Sequence, residues 1–142
     1  MGDRKSNMIR VAIVEDFDLL REDLCELIDG QKDMEIAWQA GTGQEAVDKA
    51  WRQEADIVLM DIEMETINAG ILAAEQIRDI GQGGQVIFLT AHETDQMIIT
   101  AMGTGAVDYV VKGCREEDIL RHIRNAYEGK PVMESRIQET IM

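Results

Sequence analysis

The chain has 142 residues, of which 45% are hydrophobic and 30% are charged, and this size and composition are typical of one globular domain. Its 28 acidic residues outnumber its 14 basic ones, so the net charge is −14, and we expect no direct binding to the phosphate backbone of nucleic acids. No apolar run approaches the roughly 20 residues that cross a bilayer, so we also expect no membrane association.

The first half of the chain alternates between strand and helix patterns. The apolar run Met8–Val14 predicts a strand, and apolar residues at helical spacing over Leu20–Ile28 predict the helix behind it. Met34–Ala40 alternates as a half-exposed strand does. Thr42–Glu45 has the spacing of a capping box, and it begins a helix whose apolar stripe reaches Trp51.

The second half of the chain contains three more strand patterns, each followed by a helix pattern. The predicted strands are Ile57–Met60, Gln85–Thr90 and Asp108–Val111, and the predicted helices have apolar faces over 71–77, 97–102 and 120–127. Tyr127 is the last residue of the third of these faces. Five alternations of strand and helix predict an α/β fold with a parallel sheet covered on both faces.

Polar side chains follow the strands of this sheet at the edge where parallel sheets bind ligands. Glu15 and Asp16 follow the first strand, Asp61 follows the third, Thr90 ends the fourth, and Lys112 follows the fifth. We expect these side chains to converge at one edge. Because both lie at strand ends, we expect Thr90 and Lys112 to be lightly packed.

The types of these side chains suggest a reaction. Three clustered carboxylates repel one another unless a cation lies among them, and oxygen ligands suit Mg²⁺. Asp61 could then attack a phosphoryl group, as carboxylates do when aspartyl phosphates form. The metal, Lys112 and the Thr90 hydroxyl would share the developing charge.

These motifs resemble those of the receiver domains of two-component response regulators. The resemblance covers about residues 9–130 and rests on the order and spacing of the four motifs IVEDFDLLRE (13–22), VLMDIEM (58–64), IFLTAH (87–92) and DYVVKG (108–113). The segments IRVAIVED and AYEGKPVMESRI are similar to those of regulators with a LuxR/NarL-type DNA-binding domain. The resemblance implies a flavodoxin-like, doubly wound sheet of five strands in the order 2-1-3-4-5, with five helices.

The resemblance also implies roles for individual residues. Asp61 would be the phosphoacceptor, Asp16 and Asp61 would bind Mg²⁺ directly, Glu15 would act mainly through water, and Glu63 would offer its backbone carbonyl. The phosphoryl oxygens would be bound by Lys112. The remaining pair, Thr90 and Tyr109, would form a switch in which Tyr109 turns inward once Thr90 contacts the phosphoryl group.

At the level of the whole protein, the resemblance implies a signalling module rather than a turnover enzyme. A sensor histidine kinase would be its partner, the domain would phosphorylate and dephosphorylate itself, and phosphorylation would favour a homodimer. DNA would be bound only through a separate effector domain. We expect an N-terminal tail over 1–8, the receiver over 9–130, and the start of a linker over 131–142.

Some residues depart from the family pattern. Receivers commonly have proline where Glu65 stands, and proline again where Gly113 follows Lys112. The loop from Asp61 to Gly70 is also one residue longer than usual, and His92 occupies a variable position.

Other residues receive structural interpretations. We expect Met60 and Met64 to be packing and loop residues, and Met97 and Met102 to belong to the core. We expect His122 to lie on the surface. The two cysteines, Cys25 and Cys114, fit no ligand or redox spacing, so a reduced, cytoplasmic setting is predicted.

Two alternatives belong to other classes of protein. A phosphatase of the haloacid dehalogenase type also uses an aspartate nucleophile with Thr or Ser and Lys, but its DxDxT motif is not matched by DIEME (61–65). A flavodoxin would need a phosphate-binding loop of Ser, Thr and Gly after the first strand, where EDFDLL stands instead.

Overall fold

The computed structural model describes residues 8–64, 66, 68–81, 84–91 and 94–130. The predicted linker over 131–142, residues 1–7 of the predicted tail over 1–8, and the expectations for Glu65 and His92 lie outside the described residues. Within the described ranges, five strands alternate with five helices. The elements are β1 (Ile9–Val14), α1 (Asp18–Asp29), β2 (Met34–Ala40), α2 (Gly43–Arg52), β3 (Ile57–Met60), α3 (Ala69–Ile80), β4 (Gln85–Thr90), α4 (Asp95–Met102), β5 (Asp108–Val111) and α5 (Glu116–Tyr127).

The strands form a single parallel sheet in the order β2-β1-β3-β4-β5. The predicted topology is therefore confirmed. The register between β1 and β2 shifts between Val11 and Ala12, an irregularity that the sequence pattern did not show. The central strand β3 lies between β1 and β4, so the residues that follow these three strands are neighbours at one edge.

Alternate residues of the strands point to opposite faces of the sheet and build two apolar cores. Val58 and Met60 of β3 belong to the core shared with α2, α3 and α4. Ile57 and Leu59 belong to the core shared with α1 and α5. All four β3 residues are buried because helices cover both faces, which explains why this strand is a continuous apolar run.

The methionines of the helices and of the β3–α3 loop behave as predicted. Met64, Met97 and Met102 are partly buried and pack against the first core. In the part of the chain that is described, no helix combines the length and the apolarity that crossing a membrane requires.

The beginning of α2 confirms the predicted cap in a modified form. The Thr42 hydroxyl accepts a hydrogen bond from the Glu45 N–H at 3.1 Å. The Glu45 carboxylate, however, accepts from the N–H of Gly41 at 2.7 Å, one residue before the usual capping-box partner.

Three expectations about the burial of helix side chains are wrong. Trp51 and Tyr127, predicted on apolar faces, are 62% and 40% exposed. His122, predicted on the surface, is 2% exposed, and its Nδ1 is hydrogen-bonded to the carboxylate of Asp108. The error has a geometric cause, because His122 lies three residues after Ile119 and four before Ala126, on the buried face of α5.

Candidate functional site

The predicted convergence of acids at the carboxyl edge of the sheet is present in the structure. The backbone N–H of Asp61 donates to the Val14 carbonyl at 3.0 Å, and the N–H of Glu15 donates to the Ala40 carbonyl at 3.0 Å. These bonds continue the strand pairing by one residue and fix where each acid emerges. Glu15, Asp16 and Asp61 each offer a carboxylate oxygen within 4.8 Å of the others.

The three carboxylates differ in their exposure to solvent. Glu15 is 1% exposed and Asp61 is 5% exposed, whereas Asp16 is exposed. Buried carboxylates are costly unless positive charge or hydrogen-bond donors compensate them. The cluster therefore combines a buried, crowded pair with one solvent-facing acid.

Lys112 supplies part of that compensation. Its ammonium lies 2.9 Å from Glu15 Oε1 and 3.3 Å from Asp61 Oδ2. The backbone N–H of Lys112 donates to the backbone carbonyl of Thr90 at 2.7 Å. This bond fixes the Lys112 backbone beside the end of β4. Burial lowers the pKa of Lys112, but Glu15 and Asp61 more than offset it, so the pKa is raised overall.

The carboxyl group of Asp61 is hard to ionise in this setting. Burial, followed by the nearby charge of Glu15, raises the pKa of Asp61 to about 7, although Lys112 opposes the shift. The cluster thus holds more negative charge than a single ammonium compensates. An additional cation at this edge would favour the ionised form.

The loop after Asp61 is held close to the beginning of α3. The Glu63 N–H donates to Asp61 Oδ1 at 3.2 Å, and the Gly70 N–H donates to the Ile62 carbonyl at 2.7 Å. A Cβ on Gly70 would lie 2.0 Å from the carbonyl oxygen of Asp61. Only glycine therefore allows α3 to begin this close to the phosphoacceptor candidate.

Thr90 and Tyr109, the predicted switch pair, are both buried. Tyr109 is 0% exposed and lies opposite Phe88 in the β4–β5 pairing. Thr90 is 1% exposed, so the expectation of light packing is wrong for this residue. Lys112, whose side chain is 24% exposed, fits that expectation better.

Gly113 replaces the proline that receivers commonly have after Lys112. Its φ is +95°, and the peptide bonds of the described residues are trans throughout. A residue with a side chain would be strained in this turn, whereas glycine adopts it readily. The chain therefore leaves β5 through a turn whose positive φ favours glycine over other residues.

Arg21 is a residue near the site that the sequence interpretation missed. Its Nη1 donates to the backbone carbonyl of Glu15 at 2.8 Å. The available signal was a cation one helical turn after Phe17, close behind the acidic pair. Side-chain patterns do not show contacts to backbone carbonyls.

The match to a family model decides the identity of this chain. Residues 11–124 match the response regulator receiver domain. The chain belongs to this family. Membership sets aside the phosphatase and flavodoxin alternatives, and the receiver resemblance is confirmed.

Several known proteins are similar to this receiver domain. Transcriptional regulatory protein LiaR of Bacillus subtilis is 31% identical over 135 residues, covering 95% of this chain and 64% of LiaR. A two-component response regulator of the LuxR family from Aurantimonas sp. SI85-9A1 has a crystal structure with a TM-score of 0.85 and 25% identity, and the match covers 94% of this chain and 95% of that one.

The response regulator domain of Thermotoga maritima CheB is also similar, with a TM-score of 0.78 and 33% identity over 87% of this chain and 99% of that one. The similarity to LiaR and to the LuxR-family structure confirms the predicted kinship to such regulators. They are signalling proteins rather than metabolic enzymes. The receiver chain spans about three-fifths of the length of the curated relatives it matches.

Proposed function

We propose that this receiver domain accepts a phosphoryl group on Asp61 from a sensor histidine kinase, with the aid of Mg²⁺, and thereby controls an effector. The observation that carries the proposal is the cluster of Glu15, Asp16 and Asp61 oxygens within 4.8 Å, with the Lys112 ammonium against two of them. A buried nucleophile beside a fixed cation is the arrangement that phosphoryl transfer to a carboxylate requires.

In the transfer, a carboxylate oxygen of Asp61 forms a bond to phosphorus while the bond from phosphorus to the kinase histidine nitrogen breaks. The electron pair of that bond stays with the imidazole. The Lys112 ammonium is 3.3 Å from the attacking carboxylate. It is therefore close enough to stabilise the negative charge on the phosphoryl oxygens during the transfer. The Thr90 hydroxyl is the second donor that we assign to those oxygens.

The donor set fits Mg²⁺, because that ion prefers oxygen ligands and keeps open positions for phosphate oxygens. We assign Asp16 and Asp61 as direct ligands, with the backbone carbonyl of Glu63. Glu15 already contacts Lys112 and accepts from the Phe17 N–H at 3.2 Å, which supports an indirect role through water. When bound, the metal would neutralise the carboxylates and hold the phosphoryl oxygens for attack.

We propose that the output is a conformational change that is recognised by a second molecule or domain. The Tyr109 side chain would turn inward when Thr90 contacts the phosphoryl group. Phosphorylation would favour a homodimer. A separate effector domain would bind DNA, since the net charge of −14 opposes direct binding. The domain would lie in the cytoplasm, with the receiver over 9–130, a tail over 1–8, and a linker starting at 131.

Phosphorylation of Asp61 can be tested by intact mass after incubation with acetyl phosphate and Mg²⁺. We expect one added phosphoryl group, none with Asp61→Asn, and none in excess EDTA, because both the nucleophile and the cation are needed. Asp79→Asn is the matched control, since Asp79 is an exposed aspartate of α3. Equal labelling of Asp61→Asn and the wild type would refute the assignment.

A further inference from the structure

Arg21 lies on α1 beside the loop that carries Glu15 and Asp16, and its side chain is only 20% exposed. Three guanidinium nitrogens have partners. Nη1 donates to the Glu15 carbonyl at 2.8 Å, Nε donates to Gln39 Oε1 at 3.2 Å, and Nη2 donates to Asp18 Oδ1 at 2.7 Å. The planar fork therefore ties the loop to α1 and to β2 at once.

The carbonyl that Arg21 holds belongs to the peptide bond between Glu15 and Asp16. The same turn is fixed on its other sides, because the Glu15 N–H donates to the Ala40 carbonyl at 3.0 Å and the Phe17 N–H donates to Glu15 Oε2 at 3.2 Å. With Glu15 held at its N–H and carbonyl, the direction in which Asp16 leaves the backbone is set. Arg21 supplies one of these constraints.

The space for the guanidinium is also built into the fold. A Cβ on Gly41 would lie 3.2 Å from Nη1 of Arg21, so the glycine at the end of β2 leaves room that a side chain would restrict. The Gly41 N–H is in turn held by Glu45. Arg21 thus occupies a fitted position between two loops of the carboxyl edge.

We propose that Arg21 is a positioning residue for the metal site: by holding the peptide between Glu15 and Asp16, it orients the Asp16 carboxylate toward the cation. The inference rests on the proposed function, since it concerns Mg²⁺ binding at that same edge. We assign Arg21 no contact with either the metal or the phosphoryl group. Residues that orient metal ligands in this way typically change affinity when they are replaced.

The sign of the effect separates positioning from simple electrostatics. Arg21 carries a positive charge close to the acidic cluster, so Coulomb's law alone predicts that removing it tightens the binding of a cation. Loss of positioning predicts the opposite. For Arg21→Ala we expect Mg²⁺ affinity to fall by about 10-fold, the lower end of the range for residues that support metal ligands.

The experiment follows the amide resonances of Glu15 and Asp16 by NMR while MgCl₂ is added to the 142-residue protein. Arg21→Ala should require a higher Mg²⁺ concentration for half-saturation, yet reach a rate of labelling by acetyl phosphate near that of the wild type once Mg²⁺ is saturating. Arg21→Lys keeps the charge but loses the fork, so it should also bind Mg²⁺ more weakly. Asp18→Ala removes only the exposed partner of Arg21, leaves the contact with the Glu15 carbonyl in place, and should leave the affinity nearly unchanged.

A second measurement needs no metal. Hydrogen exchange at the Phe17 amide, which is bonded to Glu15 Oε2, should become faster in metal-free Arg21→Ala. If Arg21→Ala fails to fold, Gln39→Ala loosens the same guanidinium and should show both changes to a smaller extent. Melting temperatures of all variants separate a loss of global stability from a local effect.

Two kinds of failure remain distinguishable. Mg²⁺ affinity in Arg21→Ala equal to or higher than in the wild type, or unchanged exchange at Phe17, would overturn the positioning role. A wild-type protein that shows no response to Mg²⁺ would instead count against the proposed function. The exchange measurement would still report whether Arg21 holds the loop.

Discussion

At the scale of the residue, we expect the methyl group of Thr90 to contribute packing at the end of β4 and the hydroxyl to bind the phosphoryl group. The side chain is buried, so replacement by alanine would combine a cavity with the loss of the hydroxyl. Thr90→Val keeps the shape and removes only the hydroxyl, whereas Thr90→Ser keeps the hydroxyl. We expect both variants to be phosphorylated, but only Thr90→Ser to transmit the modification.

The magnitude follows from the bond that Thr90 is proposed to form. A hydrogen bond to a charged group contributes about 1.5–3 kcal/mol, so the coupling of beryllofluoride binding to dimer formation should weaken by at least about tenfold in Thr90→Val. Sedimentation velocity at matched protein concentrations measures that coupling. Equal responses of the valine and serine variants would show that the hydroxyl is not the link.

Single residues also show which parts of the site could be predicted from the sequence. Asp61 and Lys112 were predicted because apolar runs locate the strands, and parallel topology brings strand ends to one edge. Arg21 was not predicted because its partner is a backbone carbonyl. The burial of Thr90 was also missed, since the last residue of a strand does not show which helix covers it.

At the scale of the element, Asp108 and His122 join β5 to α5. Both side chains are buried. Asp108 Oδ2 is bonded to the His122 ring, while Asp108 Oδ1 accepts from the Tyr109 N–H at 2.8 Å. The Asp108 carboxylate thus contacts both α5 and the backbone of Tyr109, the β5 residue of the proposed switch. The spacing of His122 from Ile119 and Ala126 was a signal for the buried face that the surface prediction overlooked, whereas its partner 14 residues away depends on how α5 crosses the sheet.

Asp108→Ala should destabilise the domain strongly, because it leaves the buried His122 ring without its partner. We expect a loss of about 3 kcal/mol in the free energy of unfolding, measured by urea denaturation. Asp118→Ala is the matched control, since Asp118 pairs with the exposed Arg121 of the same helix at 3.0 Å and should cost much less, because solvent screens such a pair.

A double-mutant cycle with His122→Leu tests whether this loss belongs to the pair. If the two residues stabilise each other, Asp108→Ala with His122→Leu should cost less than the sum of the single losses. Additive losses would mean that the residues act independently. Far-UV circular dichroism confirms that each variant retains the helices before its stability is compared.

At the scale of the whole molecule, the charge opposes association. Two copies with a net charge of −14 each repel one another, and this repulsion is screened over about 8 Å at physiological ionic strength. We therefore expect apolar surface to provide the attraction. Exposed apolar side chains occur on α4, where Ile99 is 50% exposed, and at the beginning of α1, where Phe17 and Leu19 are 59% and 64% exposed.

Each surface suggests one dimer interface, either around α4, β5 and α5 or around α1 and α5. Phosphorylation adds close to two negative charges at Asp61, and Thr90 and Lys112 would be drawn toward them. The ends of β4 and β5 would then shift, and with them α4 and α5. We therefore expect beryllofluoride with Mg²⁺ to convert a monomer to a dimer, and added salt to strengthen that dimer.

Sedimentation velocity with and without beryllofluoride tests this expectation, and two substitutions locate the interface. Ile99→Glu should abolish the dimer if the α4 surface forms it, whereas Leu19→Glu should do so if the α1 surface does, because a buried, unpaired carboxylate is costly at either place. Asp61→Asn should stay monomeric in the presence of beryllofluoride, since it lacks the acceptor carboxylate. A wild-type protein that remains monomeric at high concentration and high salt would contradict self-association, and the switch would then have to act on a surface of another protein or domain.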